Sequence, residues 1–260
     1  MHKLESQIYK SKLQTTSEEF KKNKESMLGM LEEIDTLLDE AEAGGGPDHQ
    51  KRLAARGKLP VRERIFNFLD PDSPFLEISG LAGYKSDYPV GGGAVAGIGV
   101  CSGIECIIFA NDPTVLAGAM HYYSVKKWMR SMAIARDCRI PFIQFVESAG
   151  GDLRPRGAMS AGAMGHFAES GRQFYEITEL SKLNIPTVTV TFGTATAGGA
   201  YQPGMSDYNI FVKDQADVAL AGPPLVQMAT GEISSREDIG GAKMHAEKSG
   251  LAEYLSLIHI

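Results

Sequence analysis

The stretch PTVTVTFGTATAGGAY, residues 186–201, joins a β-rich apolar run to an Ala-Gly-Gly turn. A similar arrangement lies upstream, where PFIQFV (141–146) leads into Ser148-Ala149-Gly150-Gly151-Asp152. Glycine at a strand end lets the backbone approach a ligand and adopt dihedral angles that other residues avoid. A helix that begins there directs unpaired N–H groups at whatever binds. The two turns predict a site where backbone amides hold an oxygen that gains negative charge; that they are only tight turns is the alternative.

Length and composition set the class of protein. The 260 residues suffice for one large domain or two small ones with a real core. The formal net charge of −6 argues against a nucleic-acid partner bound through its phosphates. No apolar run approaches the ~20 residues of a membrane span, and the N-terminus does not look like a signal or transit peptide. We expect a cytoplasmic protein, or a mitochondrial-matrix one in a eukaryote, without membrane insertion.

The first part of the chain predicts helices. Residues 16–43 form one amphipathic pattern that starts with a capping-box spacing, Thr16 to Glu19, and ends at a Gly-Gly-Gly-Pro sequence. This arm packs either on its own domain or on a partner subunit; the sequence does not distinguish the two. A short helix is predicted over about 48–56. Another is predicted to begin at Pro60, with Ile65, Phe66 and Leu69 on one face.

From residue 75 the pattern changes to strands separated by helices. Residues 94–100 and 105–110 form a hairpin around Ser102-Gly103. The remaining predictions are helices over about 117–137, 160–183, 224–229 and 236–249, and strands at 186–192, 208–213 and 217–221. The recurring unit is strand, strand, helix. Parallel strands linked by crossover helices place ligand sites at their carboxyl ends, where both glycine turns lie.

Several familiar sites are disfavoured. Gly91-Gly92-Gly93-Ala94-Val95-Ala96 fits a loose dinucleotide pattern, but strands follow it where a helix is required. Ser148 is not a nucleophile elbow, because Val146 stands where glycine is needed. The histidines at 121, 166 and 245 lack metal-ligand spacing and are interpreted as surface or satisfied helical residues. Cys101, Cys106 and Cys138 lack CxxC spacing, which favours reduced, partly buried thiols. We expect no metal site in this chain.

A run of basic residues has two interpretations. Its members are Arg52, Arg56, Lys58, Arg62 and Arg64. They form either a solvated helical face or a clamp for the phosphates of a small ligand, and the first is slightly favoured by sequence alone. Lys126 and Lys127 are weaker candidates for extending such a clamp.

Taken together, the motifs resemble the carboxyltransferase (β) subunit of biotin-dependent acyl-CoA carboxylases, in its N-terminal half. The resemblance extends from about residue 50 to 254, and the sequences of the motifs are most similar to those of the methylcrotonyl-CoA and geranyl-CoA carboxylases. The segments that carry it are Arg56-Gly57-Lys58-Leu59, Arg62-Glu63-Arg64, Asn111-Asp112-Pro113-Thr114, Thr196-Ala197-Gly198-Gly199-Ala200-Tyr201, Met205-Ser206-Asp207, Leu220-Ala221-Gly222-Pro223-Pro224-Leu225-Val226, Ala229-Thr230-Gly231-Glu232, Gly240-Gly241-Ala242 and Lys248-Ser249-Gly250.

The resemblance implies an α/β, crotonase-like fold, a spiral of ββα units with an N-terminal helical arm. It divides the chain into the arm and linker (1–46), a carboxyltransferase N-terminal domain (47–255) and an atypical tail (256–260). It implies transfer of a carboxyl group from carboxybiotin, carried by a biotin carboxylase or carrier subunit, to an acyl-CoA. It also implies a homo-oligomer assembled through the carboxyltransferase domains.

The site residues follow from the same resemblance. The amides of Gly198 and Gly199 are expected to hold the enolate oxygen of the substrate. Residues Ala149, Gly150 and Gly151 are expected to line the CoA pocket. Arg56 and Lys58 as ligands of the CoA phosphates are a hypothesis.

Two rival functions stay open. One is a biotin-dependent acyl-CoA decarboxylase subunit, which runs the carboxyl step backwards. The other is a non-catalytic CoA-binding or assembly fragment. The second is favoured because members of the family carry another crotonase-like half, and its absence here predicts a chain that is incomplete for turnover.

Overall fold

The computed structural model describes residues 11–152 and 167–256. Its centre is one mixed sheet in which neighbouring strands follow the order β1-β2-β3-β4-β5-β6-β8, with β7 also paired to β5. The strands are β1 Leu76–Glu77, β2 Ala94–Cys101, β3 Ile104–Asn111, β4 Phe142–Ser148, β5 Thr187–Thr196, β6 Tyr208–Val212, β7 Asp217–Ala219 and β8 Tyr254–Ser256. The helices are α1 Glu18–Ala43, α2 Pro47–Ala54, α3 Val61–Phe68, α4 Tyr122–Cys138, α5 Phe167–Lys182, α6 Tyr201–Gly204, α7 Pro223–Thr230, α8 Arg236–Gly240 and α9 Ala242–Met244.

The predicted hairpin is confirmed. β2 and β3 pair antiparallel, from Ala94 opposite Asn111 to Cys101 opposite Ile104. From β3 onward the pairings β3–β4, β4–β5, β5–β6, β5–β7 and β6–β8 are parallel. Parallel pairing requires crossover connections. The carboxyl ends of β4 and β5 therefore lie side by side, as the sequence predicted.

The sheet carries an apolar core on each face. One face packs against α3 through residues such as Ile65, Leu69 and Phe145. The other face packs against α4 and α5, with Trp128 and Met132 at most 1% exposed. Burying a side chain of this size stabilises a fold by about 1.5–3 kcal/mol, so the two layers hold the strand ends in place.

The predicted arm is present as α1, but its cap differs from the prediction. The Ser17 hydroxyl, not that of Thr16, accepts the hydrogen bond from the Phe20 amide at 3.2 Å. Within the described chain, no α1 residue is buried. The arm contacts the sheet domain near its carboxyl end, where the Gly45 amide donates to Thr114 Oγ1 at 3.0 Å.

Other element predictions need correction. Phe66 does not share the buried face of Ile65, because its side chain is 62% exposed. The helix predicted from about residue 117 begins at Tyr122, since Leu116, Ala117 and Gly118 have positive φ. The helix predicted over 236–249 is divided into α8, α9 and a π-helical turn, His245–Ser249. None of the helices described is long and apolar enough to cross a membrane.

Candidate functional site

The two Ala-Gly-Gly turns contact each other at the carboxyl edge of the sheet. Ser148 at the end of β4 pairs with Ala195 near the end of β5. A Cβ built on Gly150 would lie 2.9 Å from the carbonyl oxygen of Thr196, and one on Gly199 would lie 3.1 Å from Ser148 Cβ. Side chains at either position would push the turns apart. The fold therefore brings together the two segments that the sequence singled out.

The first turn, residues 149–151, is held by hydrogen bonds within the protein. The Ala149 amide donates to Ala117 O at 3.1 Å, and the Gly150 amide donates to Ser148 Oγ at 3.2 Å. The carbonyl of Gly150 accepts from the Met120 amide at 2.7 Å. Gly150 itself has a φ of +93°, a conformation that favours glycine. Two of the three amides in this turn thus already have acceptors inside the fold.

A third turn, which the sequence reasoning missed, supports the first. Leu116, Ala117 and Gly118 have φ values of 52°, 53° and 68° and form a short 3₁₀ segment. Left-handed backbone at non-glycine residues is uncommon and concentrates at functional sites. The Asp112 side chain accepts from both the amide and the hydroxyl of Thr114 just before this turn. That Asp-Pro-Thr turn signal was available in the sequence.

The second turn, Ala197–Ala200, is open where the first is closed. It is a 3₁₀ segment that follows β5 directly and leads into α6. A Cβ built on Gly198 would meet no atom of residues 11–152 or 167–256 within 4 Å. The left-handed residue here is Ala197, with a φ of 50°. A ligand can approach Gly198 from solvent without displacing any described residue.

An apolar cleft of about 660 Å³ adjoins this second turn. Ala200 and Tyr201 belong to both the turn region and the cleft wall. His245 closes one side, with its Nε2 donating to the Val218 carbonyl at 2.8 Å and its Nδ1 2.7 Å from Ser249 Oγ. This histidine is satisfied by the fold, as predicted. The rest of the lining is Gly204, Met205, Val218, Ala219, Leu220, Ala221, Val226, Ile239 and Leu251.

A buried charge cluster lies directly behind the first turn. Glu147, the residue before Ser148, accepts from both Lys58 Nζ and Arg64 Nη1, the latter at 2.9 Å. Lys58 also donates to Phe192 O at 2.9 Å, and the Arg64 guanidinium lies 4.6 Å from the centre of the Phe192 ring. Glu147 and Arg64 are 8% and 2% exposed. These contacts fix the end of β4 to the segment that precedes and forms α3.

The basic run is therefore divided between interior and surface. Arg64 contradicts the solvated-face interpretation, because its side chain is inside the core. Arg62 pairs with Glu77. Lys58 has two acceptors in the fold, whereas Arg52 and Arg56 are exposed.

The lysines considered as extensions of the basic run do not form one patch. Lys127 is 2% exposed, and its Nζ donates to Gly91 O at 3.1 Å and Ala94 O at 2.7 Å. Burial lowers the pKa of Lys127 to about 8. Lys126 Nζ lies 4.9 Å from the centre of the Tyr122 ring. Lys127 thus holds the Gly91–Ala94 backbone from inside instead of extending a basic surface.

The other residues considered from the sequence are two further histidines and the three cysteines. The His121 ring is buried and stacks on Tyr88, with centroids 4.5 Å apart; His166 lies outside the described residues. The three cysteines are free, and burial raises the pKa of Cys106 to about 12. Among the residues that the structure describes, no group of three His, Cys, Asp or Glu side chains could hold a metal ion.

Comparison with known proteins identifies a family and several similar sequences. Residues 52–257 match the family model described as the carboxyl transferase domain. The chain is 49% identical over 232 residues to a Mycobacterium tuberculosis protein named "Probable biotin-dependent acyl-coenzyme A carboxylase beta2 subunit", covering 89% of this chain and 42% of the relative. It is 43% identical over 243 residues to the mitochondrial methylcrotonoyl-CoA carboxylase beta chain of Arabidopsis thaliana, covering 92% and 40%.

A solved structure is also similar. The beta subunit of Pseudomonas aeruginosa geranyl-CoA carboxylase superposes with a TM-score of 0.81 at 40% identity, covering 95% of this chain and 45% of that one. This likeness confirms the predicted crotonase-like fold with its helical arm. The chain thus spans between 40% and 45% of the length of these three relatives.

Proposed function

Because this chain belongs to the carboxyl transferase domain family, we propose that it binds an acyl-CoA and stabilises the enolate formed during carboxyl transfer. The observation that carries the proposal is the open Ala-Gly-Gly turn after β5, set between an apolar cleft and the turn after β4. We assign residues 47–255 to the carboxyltransferase unit and 1–46 to an arm and linker.

The amides of Gly198 and Gly199 are the proposed oxyanion donors. In the enolate the thioester oxygen carries negative charge, and donors fixed in advance stabilise that charge more than they stabilise the neutral carbonyl. Removing one donor of this kind typically costs about 2.7–4 kcal/mol of transition-state stabilisation. A Cβ built on Gly198 would meet no described atom within 4 Å, so the described chain leaves room for a ligand beside this residue.

The acyl group is assigned to the cleft beside Tyr201. Its aliphatic lining suits a branched, unsaturated hydrocarbon chain, in keeping with the methylcrotonoyl and geranyl substrates in the relatives' names. Residues 149–151 are proposed to border the CoA moiety, and Arg56 is the exposed candidate for its phosphates. A phosphate role for Lys58 would require its ammonium to leave Glu147.

Carboxybiotin on a partner carrier would supply the carboxyl group when bound. The chain's own part is to position the acyl-CoA and hold charge on its oxygen. A biotin carboxylase or carrier subunit and further copies of this chain are the proposed partners.

Calorimetric titration of the full chain with 3-methylcrotonyl-CoA tests the binding step. We expect the thioester to bind more tightly than CoA alone, and Gly198→Ala to weaken that binding at least about tenfold by placing a methyl group in the space beside the turn that the thioester is proposed to occupy. Gly29→Ala is the matched control, because a Cβ at Gly29 also meets nothing within 4 Å. Equal affinity for CoA and its thioester would refute the assignment.

Turnover is tested separately with carboxybiotin and the same thioester. The chain is assayed alone and together with a polypeptide corresponding to the segment that follows in the longer relatives. Formation of the carboxylated thioester in either mixture supports carboxyl transfer. Thioester binding without product in both mixtures would favour the non-catalytic alternative.

A further inference from the structure

The sheet face that packs against α4 and α5 contains buried polar side chains where it approaches α6. Gln144 of β4 and Thr189 of β5 are fully buried and lie opposite each other in the parallel register. Gln144 is two residues from Phe142, which belongs to the apolar core of the same face. Burying a polar group is unfavourable unless it is hydrogen-bonded. The partners of these two side chains therefore show what the polar layer holds in place.

A continuous series of hydrogen bonds crosses this layer, and we call it the polar network. Trp128 Nε1 donates to Gln144 Oε1 at 2.9 Å. Gln144 Nε2 donates to Thr189 Oγ1 at 3.3 Å and to Ser206 Oγ at 3.2 Å. The two hydroxyl oxygens are 2.6 Å apart, and Ser206 Oγ donates to the backbone carbonyl of Gln202 at 2.8 Å. The polar network thus connects α4 with α6 through β4 and β5.

The direction of these bonds follows from the donors available. An indole N–H can only donate, so Trp128 holds the Gln144 amide oxygen and leaves the amide N–H groups for the hydroxyls. A hydroxyl has one proton to donate. Ser206 Oγ lies 2.8 Å from Gln202 O and Thr189 Oγ1 lies 3.4 Å from it, so the Ser206 proton goes to that carbonyl. The Thr189 proton then goes to Ser206 Oγ. All donors point towards α6, an arrangement in which successive bonds strengthen one another.

The polar network ends beside the open turn. The helix α6, Tyr201–Gly204, is a single turn that begins where the 3₁₀ segment Ala197–Ala200 ends. A helix this short has few bonds of its own, so contacts outside it decide its position. Gln202 O, in the middle of α6, accepts from the Ser206 hydroxyl. The position of α6, and with it the end of the open turn, is therefore tied to the sheet through this carbonyl.

We propose that Ser206 and Gln144 are positioning residues, which fix α6 and, through it, the open turn. This role rests on the proposed function, in which the amides of Gly198 and Gly199 hold the oxyanion. Neither positioning residue touches the substrate; both act through the carbonyl of Gln202. Donors stabilise a developing charge best when they are already oriented before the reaction. Loosening α6 therefore reduces the benefit that the turn gives to the thioester oxygen.

Amide hydrogen exchange in the free protein tests the positioning without any ligand. Ser206→Ala removes the hydroxyl at the end of the polar network. Exchange of the Met205 amide, which is bonded at 3.1 Å to the first residue of α6, should become about three- to tenfold faster. Ser131→Ala is the matched control, because Ser131 Oγ also donates to a backbone carbonyl, Lys127 O, at 3.0 Å. In this control the Met205 exchange rate should stay within about twofold of the wild type.

Calorimetric titration with CoA and with 3-methylcrotonyl-CoA measures the effect at the open turn. In Ser206→Ala the ratio of the CoA dissociation constant to that of the thioester should fall about three- to tenfold. The affinity for CoA itself should not change, because CoA lacks the thioester oxygen.

Two more variants separate positioning from loss of packing. Gln144→Met keeps the length of the side chain and removes its donors, and should lower the ratio less than Ser206→Ala does. Trp128→Phe changes the far end of the polar network and should lower the ratio least. Loss of packing alone predicts the opposite order, because Trp128 is the largest of the fully buried side chains and Ser206 is only partly buried.

Three results would each overturn the positioning role. They are an unchanged Met205 exchange rate in Ser206→Ala, an equal effect of Ser131→Ala, and the opposite order among the other three variants. A wild type that binds CoA and its thioester equally would refute the proposed function instead. Faster exchange at Met205 in Ser206→Ala would in that case still support the fixing of α6 by the polar network.

Discussion

The turns after β4 and β5 carry the same tripeptide, Ala-Gly-Gly, at residues 149–151 and 197–199. In the first, the left-handed residue is Gly150, two amides are bonded internally, and a buried ion cluster lies behind. In the second, the left-handed residue is Ala197, and a Cβ on Gly198 would meet no atom of the described residues within 4 Å. Identical tripeptides therefore have different surroundings: the first turn is hydrogen-bonded into the fold, and the second leaves space beside Gly198 among the described residues. What surrounds a glycine motif decides its role.

The largest predicted difference between the two turns comes from removing the ion pairs behind the first turn. Glu147→Gln would leave the buried cations of Lys58 and Arg64 without a counter-charge, which we expect to lower the free energy of unfolding by about 3–5 kcal/mol. Urea denaturation measures the loss. Glu77→Gln, at the more exposed pair with Arg62, is the control and should cost about 1 kcal/mol or less. Equal losses would show that burial of the cluster is unimportant.

The next effect tests the fastened turn itself. In Gly150→Ala the alanine would have to keep the positive φ that glycine has here. Its methyl group would also lie 2.9 Å from Thr196 O. We expect the free energy of unfolding to fall by about 1–3 kcal/mol. Ala197→Gly is the reciprocal change in the open turn. A loss in Gly150→Ala no greater than that in Ala197→Gly would argue against the strain described here.

A third glycine turn, residues 91–93, extends the comparison. Its backbone and that of the next residue accept hydrogen bonds from a titratable side chain, Lys127. The pKa of buried Lys127 is about 8 in the folded protein, below its ordinary value of 10.5. Between these values the unfolded chain binds more protons, so stability should rise with pH. The rise from pH 7 to 9 should be about 1 kcal/mol larger in the wild type than in Lys127→Met.

Chemical denaturation of both proteins at the two pH values measures this difference. Groups other than Lys127 contribute equally to wild type and variant and so cancel. Parallel pH profiles would mean that the pKa of Lys127 is not lowered by folding.

The smallest effect on stability belongs to the open turn. Gly198→Ala should change the free energy of unfolding by less than about 0.5 kcal/mol, because its methyl group meets no described atom. The same variant should lose thioester affinity under the proposed function. Thermal denaturation together with the calorimetric titration separates the two. Destabilisation as large as that of Gly150→Ala would erase the distinction between the turns.

Sequence alone could predict the elements with strong local patterns. The hairpin around Ser102-Gly103 and the β5 strand followed immediately by its turn were predictable from periodicity and turn chemistry. The cleft, the charge cluster and the 116–118 turn were not. They depend on contacts across 83 residues, as between Arg64 and Glu147, or on left-handed backbone at ordinary residues. In the sequence, a basic residue that pairs with a buried carboxylate cannot be distinguished from one whose side chain is exposed to water.

The cleft wall has a consequence for how this protein lineage diversifies. The strand β7, which belongs to the cleft wall, has three residues and pairs in parallel with the last residues of β5. The preceding residues of β5 pair with β6 instead. The adjoining α7 contributes no buried residue within the described chain. Residues of α7 can therefore be exchanged or lengthened while the buried core, which includes Val218 of β7, stays unchanged. Under the proposed function, preference for a shorter or longer hydrocarbon can thus evolve at this part of the cleft wall without changing the turn that is proposed to hold the oxyanion.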